Sequence, residues 1–561
     1  MVKGQKERKD QFPKIMTCPS EMVACSMADG YARLTGKPQC VIVHVDVGTQ
    51  GLGCSIHNAS TGRAPVLIFA GLSPVTLEGE MRGSRTEYIH WIQDVPDQKA
   101  IVAQYCKYAG EIKSGKNVKQ MVNRALQFAT SDPQGPVYLC GAREVMEEDL
   151  TPYQLDQTVW SPVGPAALPQ EGIELICKHL VAAESPLLIT GYSGRNPSAV
   201  SSLVKLADTI PGLRVLDTGG SDMCFPFDHP GCLGLSYGIN DAIPTADFIL
   251  VVDCDVPWIP TQCKPSASAK IIHIDIDPLK RLMPTFYIPA IARYTADAHT
   301  SFTQLTSHLT TTPSYLSTLS SDPYTSRKIT LIQSHKARLA AYAAQGTLPT
   351  SSTDPFTTSQ LCAHLRTLCP PDTIWVIEAV THTLAVANQI QPTYPSSWLN
   401  CGGGGLGWSG GASLGIKLAT DTLPPSIANG NENPTPKFIC QIVGDGTFLF
   451  SMPSSVHWIS SRYSLPTLTI VLNNHGWNAP RRSLLLVHPD GEGSKVNNRE
   501  LNISLDDPAP DYAGIATAAS GGWVWPGRIG EVGELKDVLG EAVQVVKGGR
   551  SAVVDCRVSG V

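Results

Sequence analysis

Short aliphatic runs recur along the whole chain, each closed by Gly, Pro or Asp and followed by a stretch long enough for a helix. Runs that are apolar throughout, without polar alternation, mark strands buried on both faces of a parallel sheet. The pattern predicts strands at 40–45, 66–70, 137–140, 187–190, 248–252 and 270–275. It predicts four more at 374–378, 438–443, 468–472 and 552–555. So many strands alternating with helices exceed what one twisted open sheet ordinarily holds, so the expectation is an α/β protein of stacked domains with parallel sheets. Proline- or serine-rich stretches at 151–171 and 308–325 read as linkers, and a further connector at 347–359 follows an alanine-rich helical pattern at 337–344. The expected domains are therefore 1–150, 165–310 and 355–561, the last carrying an exposed loop insertion at 421–437.

Composition narrows the partners. A chain of 561 residues with 43 Lys and Arg against 49 Asp and Glu has a net charge of -6 and no basic field, which excludes ordinary nucleic-acid binding. Sixteen cysteines without paired CxxC spacing predict free thiols in a reducing compartment. No opening apolar stretch resembles a secretion signal, and no run approaches the ~18 apolar residues of a membrane span. The expectation is a soluble, cytoplasmic protein.

The chemistry sits at two strand ends. The run at 438–443 passes into Gly444-Asp445-Gly446-Thr447, and the run at 468–472 into Asn473-Asn474-His475-Gly476. In a parallel sheet both ends lie on one edge and can meet around one ligand. The Asp445 carboxylate, the Asn474 amide oxygen and a backbone carbonyl at Gly476 are hard oxygen ligands of the kind that hold Mg²⁺, with water and phosphate completing the shell. Gly444 and Gly446 let backbone N–H groups approach a diphosphate, and a helix after Thr447 would present its positive end to it. Alone, Gly-Asp-Gly is a turn after a strand. Asn474, 29 positions after Asp445 at the end of the next strand, shifts the balance toward a metal site.

This pair of motifs resembles the signature of thiamine diphosphate-dependent enzymes of the acetolactate synthase, benzoylformate decarboxylase and pyruvate decarboxylase group. A second stretch, Pro19-Ser20-Glu21-Met22-Val23-Ala24 continuing to Met27-Ala28-Asp29-Gly30-Tyr31-Ala32-Arg33, resembles the glutamate helix of that family's pyrimidine-binding domain. The resemblance implies that Glu21 hydrogen-bonds the pyrimidine ring and so activates the thiazolium; without it, Glu21 reads as a first-turn dipole partner. In Asn400-Cys401-Gly402-Gly403-Gly404-Gly405-Leu406-Gly407-Trp408 a dinucleotide loop lacks a convincing strand before it and an acidic residue after it. The family places an apolar prop for the cofactor at Leu406 and a carbonyl for the pyrimidine amino group at Gly404. Thr381 and His382 fall where diphosphate contacts are implied, and serve equally well as helix caps. Gln93 falls near a substrate-site glutamine. His44 and His90 are speculative acid–base groups that read more simply as structural. Trp477, Arg481, Arg482 and His488 follow the metal loop, where an arginine would clamp a carboxylate or merely face solvent.

The resemblance implies pyrimidine-binding, central Rossmann-like and diphosphate-binding domains, assembled as a homodimer or homotetramer with the cofactor between subunits. It implies a lyase or carboligase that decarboxylates a 2-oxo acid and then protonates the enamine or adds it to a second carbonyl. The central domain lacks an intact dinucleotide fingerprint, so FAD or ADP is allowed there but an empty domain is preferred. Competing readings are an acyl-CoA lyase or decarboxylase of the oxalyl-CoA decarboxylase type and a non-catalytic regulatory paralogue. Two departures stand out. Only 20 residues precede Glu21, which predicts a missing N-terminal βα unit and an exposed sheet edge. Ser20 stands where histidine is common, and Asp46-Val47-Gly48 where Gly-Pro-Gly is usual, so acetolactate is not the expected product.

Overall fold

The computed structural model describes residues 2–8, 11–422 and 436–559, so nearly all of the expected insertion at 421–437 lies outside the described residues. Within them the chain builds three sheets in which every strand pairing is parallel. The first holds β1 (Gln39–Val43), β2 (Val66–Leu72), β3 (Tyr108–Ile112) and β4 (Val137–Ala142) in the order β1-β2-β4-β3. The second holds β5 (Pro186–Thr190), β6 (Arg214–Thr218), β7 (Cys232–Ser236), β8 (Phe248–Val252), β9 (Lys270–Asp275) and β10 (Ala292–Thr295), ordered β10-β9-β8-β5-β6-β7. The third holds β11 (Ile374–Glu378), β12 (Trp398–Asn400), β13 (Ile439–Gly444), β14 (Leu468–Asn473), β15 (Trp525–Ile529) and β16 (Ala552–Arg557), ordered β12-β11-β13-β14-β16-β15. Helices cover the sheets, and each sheet anchors its own apolar clusters.

All ten expected strands are present. The six that the pattern did not reveal are β3, β6, β7, β10, β12 and β15, and all but β6 form a sheet edge. An edge strand need not carry a continuous apolar run: no residue of β10 is buried and β15 tolerates Pro526, whereas β12 is buried throughout but only three residues long. The expected linker at 308–325 is a correction of the other kind. It is largely helical, spanning the end of Ala298–Thr311, all of Pro313–Leu319 and the start of Tyr324–Gln345. Pro313 sits in the first turn, where its missing N–H is no loss, and therefore starts a helix that composition alone read as broken.

Two features lock the domains together. The Glu21–Thr35 helix crosses the Trp408–Thr422 helix so closely that a Cβ at Gly415 would sit 1.9 Å from the Met27 carbonyl oxygen, and one at Gly411 would sit 2.7 Å from that of Val23. Only residues without a side chain permit that approach. Arg33, at the end of the first of these helices, is buried and donates to the carbonyls of Asn400 at 2.8 Å and Ser221 at 2.5 Å, and pairs with Asp222 at 3.3 Å. One guanidinium thus ties the first sheet's helix to the second and third domains. No helix among the described residues is long and apolar enough to cross a membrane.

Candidate active site

The third sheet sets the geometry. Glu378, the last residue of β11, lies opposite Val443 of β13, and Gly444 lies opposite Leu472 of β14. The residues that follow these strands therefore leave the sheet side by side at one edge. Asp445 is 3% exposed; its Oδ1 accepts from the Gly446 N–H at 2.7 Å and its Oδ2 from the Gly476 N–H at 3.0 Å. Burial pushes its carboxyl up to about 6, against the pull of those N–H groups. Next to it, Asn474 donates through Nδ2 to His382 Nε2 at 2.9 Å, and His382 Nδ1 meets Thr358 Oγ1 at 2.7 Å. Burial pulls His382 down to about 4, so the ring is neutral; with Nε2 accepting, its proton sits on Nδ1 and is donated to Thr358.

That arrangement leaves Asn474 Oδ1 buried without a hydrogen-bond partner. A buried acceptor in that state costs roughly 1–3 kcal/mol unless something else uses its lone pairs. A hard cation does so. One carboxylate, one amide oxygen and backbone carbonyls form the oxygen set of Mg²⁺, and no group of three His, Cys, Asp or Glu among the described residues offers a softer alternative. The residues present fit the ion.

A second device shapes the glycine loop. Glu378, 1% exposed, accepts through Oε1 from the N–H groups of Gly407 at 2.9 Å and Trp408 at 3.2 Å, and through Oε2 from Ser409 at 2.8 Å. It closes the otherwise unpaired N-terminal turn of the Trp408–Thr422 helix, and burial pushes its carboxyl up to about 7 despite the three donors. Gly407 holds φ +101° and lies against the Phe450 carbonyl, so the turn can be made only by glycine. From the other side, the Gly53–Thr61 helix clamps the loop: Asn58 donates to the Gly405 carbonyl at 2.5 Å and accepts from the Gly403 N–H at 3.1 Å, while His57 Nε2 accepts from the Gly404 N–H at 3.0 Å. Leu406 is half-buried and Gly404 exposed in the loop so held.

The remaining candidates make other contacts, and of them Trp477 also packs on Gly446. Glu21 opens its helix with its carboxylate against Gly48 and Gly51. Its neighbour Met22 packs on Gly407, which is the link between the glutamate helix and the glycine loop. Gln93 is buried elsewhere in the first domain, its carbonyl accepting from Ser73 Oγ at 2.6 Å and its Nε2 without a partner. His90 Nδ1 accepts from the N–H groups of Thr86 and Glu87, a loop-stabilising role, and His44 is exposed. Trp477 packs edge-on to Phe450, and Arg481 donates to the Val496 carbonyl at 2.9 Å, while Arg482 and His488 face solvent. Thus Thr381, His382, Gly444, Asp445, Gly446, Thr447, Asn474 and Gly476 gather at one edge, while Glu21 and Gln93 make no hydrogen bond to any of them. The clamps made by Glu378, His57 and Asn58 escaped sequence reading because their partners lie about 30 to 350 positions away; the one local signal was an acid closing an apolar strand.

Comparison with known proteins agrees with this layout. Models of the three domains of thiamine pyrophosphate enzymes match in order: the N-terminal TPP binding domain over 5–101, the central domain over 173–286 and the C-terminal TPP binding domain over 378–556. The chain belongs to the thiamine pyrophosphate enzymes. Among relatives of this enzyme, the acetolactate synthase isozyme 3 large subunit of Escherichia coli is 24% identical, over 96% of this chain and 87% of that protein. The acetolactate synthase of Bacillus subtilis is 27% identical over 272 residues, which are 47% of this chain and 46% of that protein. The benzoylformate decarboxylase of Polynucleobacter necessarius shares the fold, with a TM-score of 0.76 at 18% identity over 99% of this chain and 94% of that one. Three parallel-sheet α/β domains are thus the architecture of this thiamine pyrophosphate enzyme.

Proposed function

We propose that this thiamine pyrophosphate enzyme is a Mg²⁺-dependent lyase or carboligase that decarboxylates a 2-oxo acid and then protonates the product or joins it to a second carbonyl. The observation that carries this reading is the orphaned Oδ1 of Asn474 beside the buried Asp445 at the end of two adjacent parallel strands. Asp445, Asn474 and the Gly476 carbonyl would hold Mg²⁺. Gly444, Gly446, Thr447 and Thr381 would line the diphosphate, with His382 fixing the Asn474 amide. Gly404 and Leu406 would support the pyrimidine end, Glu21 would hold the pyrimidine ring nitrogen, and Gln93 would face the substrate. When bound, thiamine diphosphate supplies an electron sink for the charge left by loss of carbon dioxide.

A single chain sets Glu21 against Gly48 and Gly51 and Asp445 against Gly446 and Gly476. The enzyme would assemble as a homodimer or homotetramer in which one subunit supplies the glutamate and another the metal loop. Segments 1–150, 165–310 and 355–561 would be its pyrimidine-binding, central and diphosphate-binding domains. All sixteen cysteines are free, which supports a reducing, cytoplasmic setting.

Calorimetric titration with thiamine diphosphate, with and without Mg²⁺, tests the reading. Stoichiometric binding that needs the metal, together with carbon dioxide release from a 2-oxo acid that Glu21→Gln abolishes while binding persists, is the expected result. Absence of cofactor binding, or full turnover in Glu21→Gln, would overturn it. Product formation only from an acyl-CoA would move the assignment to an acyl-CoA lyase.

A further inference from the structure

β16 lies inside the third sheet, between β14 and β15, and is buried at every position but its last. An acid in such a strand needs a partner, because a buried charge without one is costly. Asp555, 6% exposed, is that acid. Arg528, opposite it in β15, pairs with Asp511 at 2.5 Å instead. On its other side Asp555 stands opposite Val471 of β14, and Asn473, two residues on, shares the face of Val471. Asp555 Oδ1 accepts from Asn473 Nδ2 at 2.9 Å, and Asn473 is itself 3% exposed.

That bond fixes the Asn473 amide as His382 fixes that of Asn474. With Nδ2 committed to Asp555, Asn473 Oδ1 faces the loop and accepts from the His475 N–H at 3.2 Å. This is the side-chain turn that asparagine makes to the backbone two residues on, and the residue it encloses is Asn474. His475 takes φ +63°, a left-handed conformation that histidine adopts more readily than most residues. Residues 503–505 close the other side of the loop: the Ile503 carbonyl accepts from the Trp477 N–H at 2.8 Å, and the Leu505 N–H donates to the His475 carbonyl at 3.0 Å. A Cβ at Gly476 would lie 2.3 Å from the Ile503 carbonyl oxygen, so the loop has no room to spread on that side. Asn474 and Gly476 therefore sit in a turn held from both sides.

Such confinement affects two cations differently. Mg²⁺ requires near-octahedral oxygens at about 2.0–2.1 Å, whereas Ca²⁺ accepts about six to eight of them at roughly 2.3–2.6 Å in a looser arrangement, so the choice between the ions depends on how rigidly the ligands are held. We propose that Asp555 is a positioning residue that acts through Asn473 to fix the turn carrying Asn474 and Gly476, and thereby makes the site prefer Mg²⁺ to Ca²⁺. The ion preference rests on the proposed function; the tether from Asp555 through Asn473 to His475 does not.

The test titrates thiamine diphosphate into the full chain over a range of Mg²⁺ and of Ca²⁺ concentrations, comparing the parent with Asp555→Val and Asp555→Asn. Valine suits a buried strand and offers no acceptor, whereas asparagine keeps one. Asp555→Val is expected to lose about 10- to 100-fold in Mg²⁺ affinity and less than about threefold in Ca²⁺ affinity, with Asp555→Asn within about threefold of the parent for both ions. Equal losses for the two ions, an unchanged Mg²⁺ affinity, or a loss in Asp555→Asn as large as in Asp555→Val overturns the proposal. A melting curve checks that Asp555→Val folds; should it not, Asn473→Ala cuts the same tether from its other end, and an unchanged ion preference there overturns the proposal. Hydrogen exchange of the chain without metal or cofactor reads the tether separately. The His475 amide is expected to exchange at least about tenfold faster in the variant than in the parent, and equal exchange overturns the tether. Should the parent bind no thiamine diphosphate with either ion, the proposed function fails while hydrogen exchange still decides the tether.

Discussion

Asn474 and His382 are joined by a 2.9 Å hydrogen bond in which the amide donates and the neutral imidazole accepts, and that bond decides which way the Asn474 oxygen faces. Reversing the amide would put an N–H where a cation needs a lone pair. The sequence motif alone names the asparagine; the histidine that follows β11, two strands away, leaves its oxygen free for a cation.

Replacing His382 by Phe should therefore weaken Mg²⁺-dependent binding of thiamine diphosphate by about 10- to 100-fold, the usual cost of losing the partner that orients a metal ligand. The check is calorimetric titration across a range of Mg²⁺ concentrations. An unchanged metal requirement would show that the amide is held by something else.

Glu378 should leave a signature in the pH dependence of stability. Burial raises its native carboxyl to about 7 from an ordinary 4.5, so between those values the native state binds a proton that the unfolded chain does not. Its contribution is fully present below pH 4.5 and is lost as pH rises through about 7. Melting curves at pH 5 and pH 8 should show a fall in the parent that is smaller in Glu378→Gln, by a few kcal/mol at most. Equal falls would mean that Glu378 ionises normally.

The helix crossing predicts a steric outcome. A methyl group at Gly415 has nowhere to go, because the Met27 carbonyl occupies its place. Gly415→Ala should cost about 3 kcal/mol and lower the melting temperature by several degrees, whereas Gly540→Ala, in a helix with open space at that position, should be neutral or stabilising. Comparable melting of the two variants would contradict the close contact.

Arg33→Met tests the joint between domains. Removing the guanidinium leaves Asp222 and the carbonyls of Ser221 and Asn400 buried with fewer partners, and loss of one member of such a network costs about 3–5 kcal/mol. Limited proteolysis should then cut between the domains at rates the parent chain resists. A cleavage pattern identical to the parent's would show that the helix crossing alone holds the domains.

The buried strands were legible because a strand covered on both faces must be apolar at every position, and that leaves an unbroken run in the sequence. β3, β7, β10 and β15 were not legible because an edge strand is under no such demand, and β12, although buried, is only three residues long. The segment at 308–325 failed for the opposite reason: Pro313 and its serine and threonine neighbours satisfy a helix start as well as a loop, and only packing chooses between them.

The same division runs through the site. Asp445, Asn474 and the glycines around them are adjacent to strand ends, so periodicity and residue chemistry alone placed them on one edge. Sequence also supplied the fold class, because alternation of apolar runs and helical stretches is a local property. What tertiary structure decided is everything that depends on a partner distant in the chain: the Asn474 amide oriented by His382 and the glycine loop held by Glu378, Asn58 and His57. A hydrogen bond or an unpaired charge is a relation between two groups in space, and a linear pattern records only the groups.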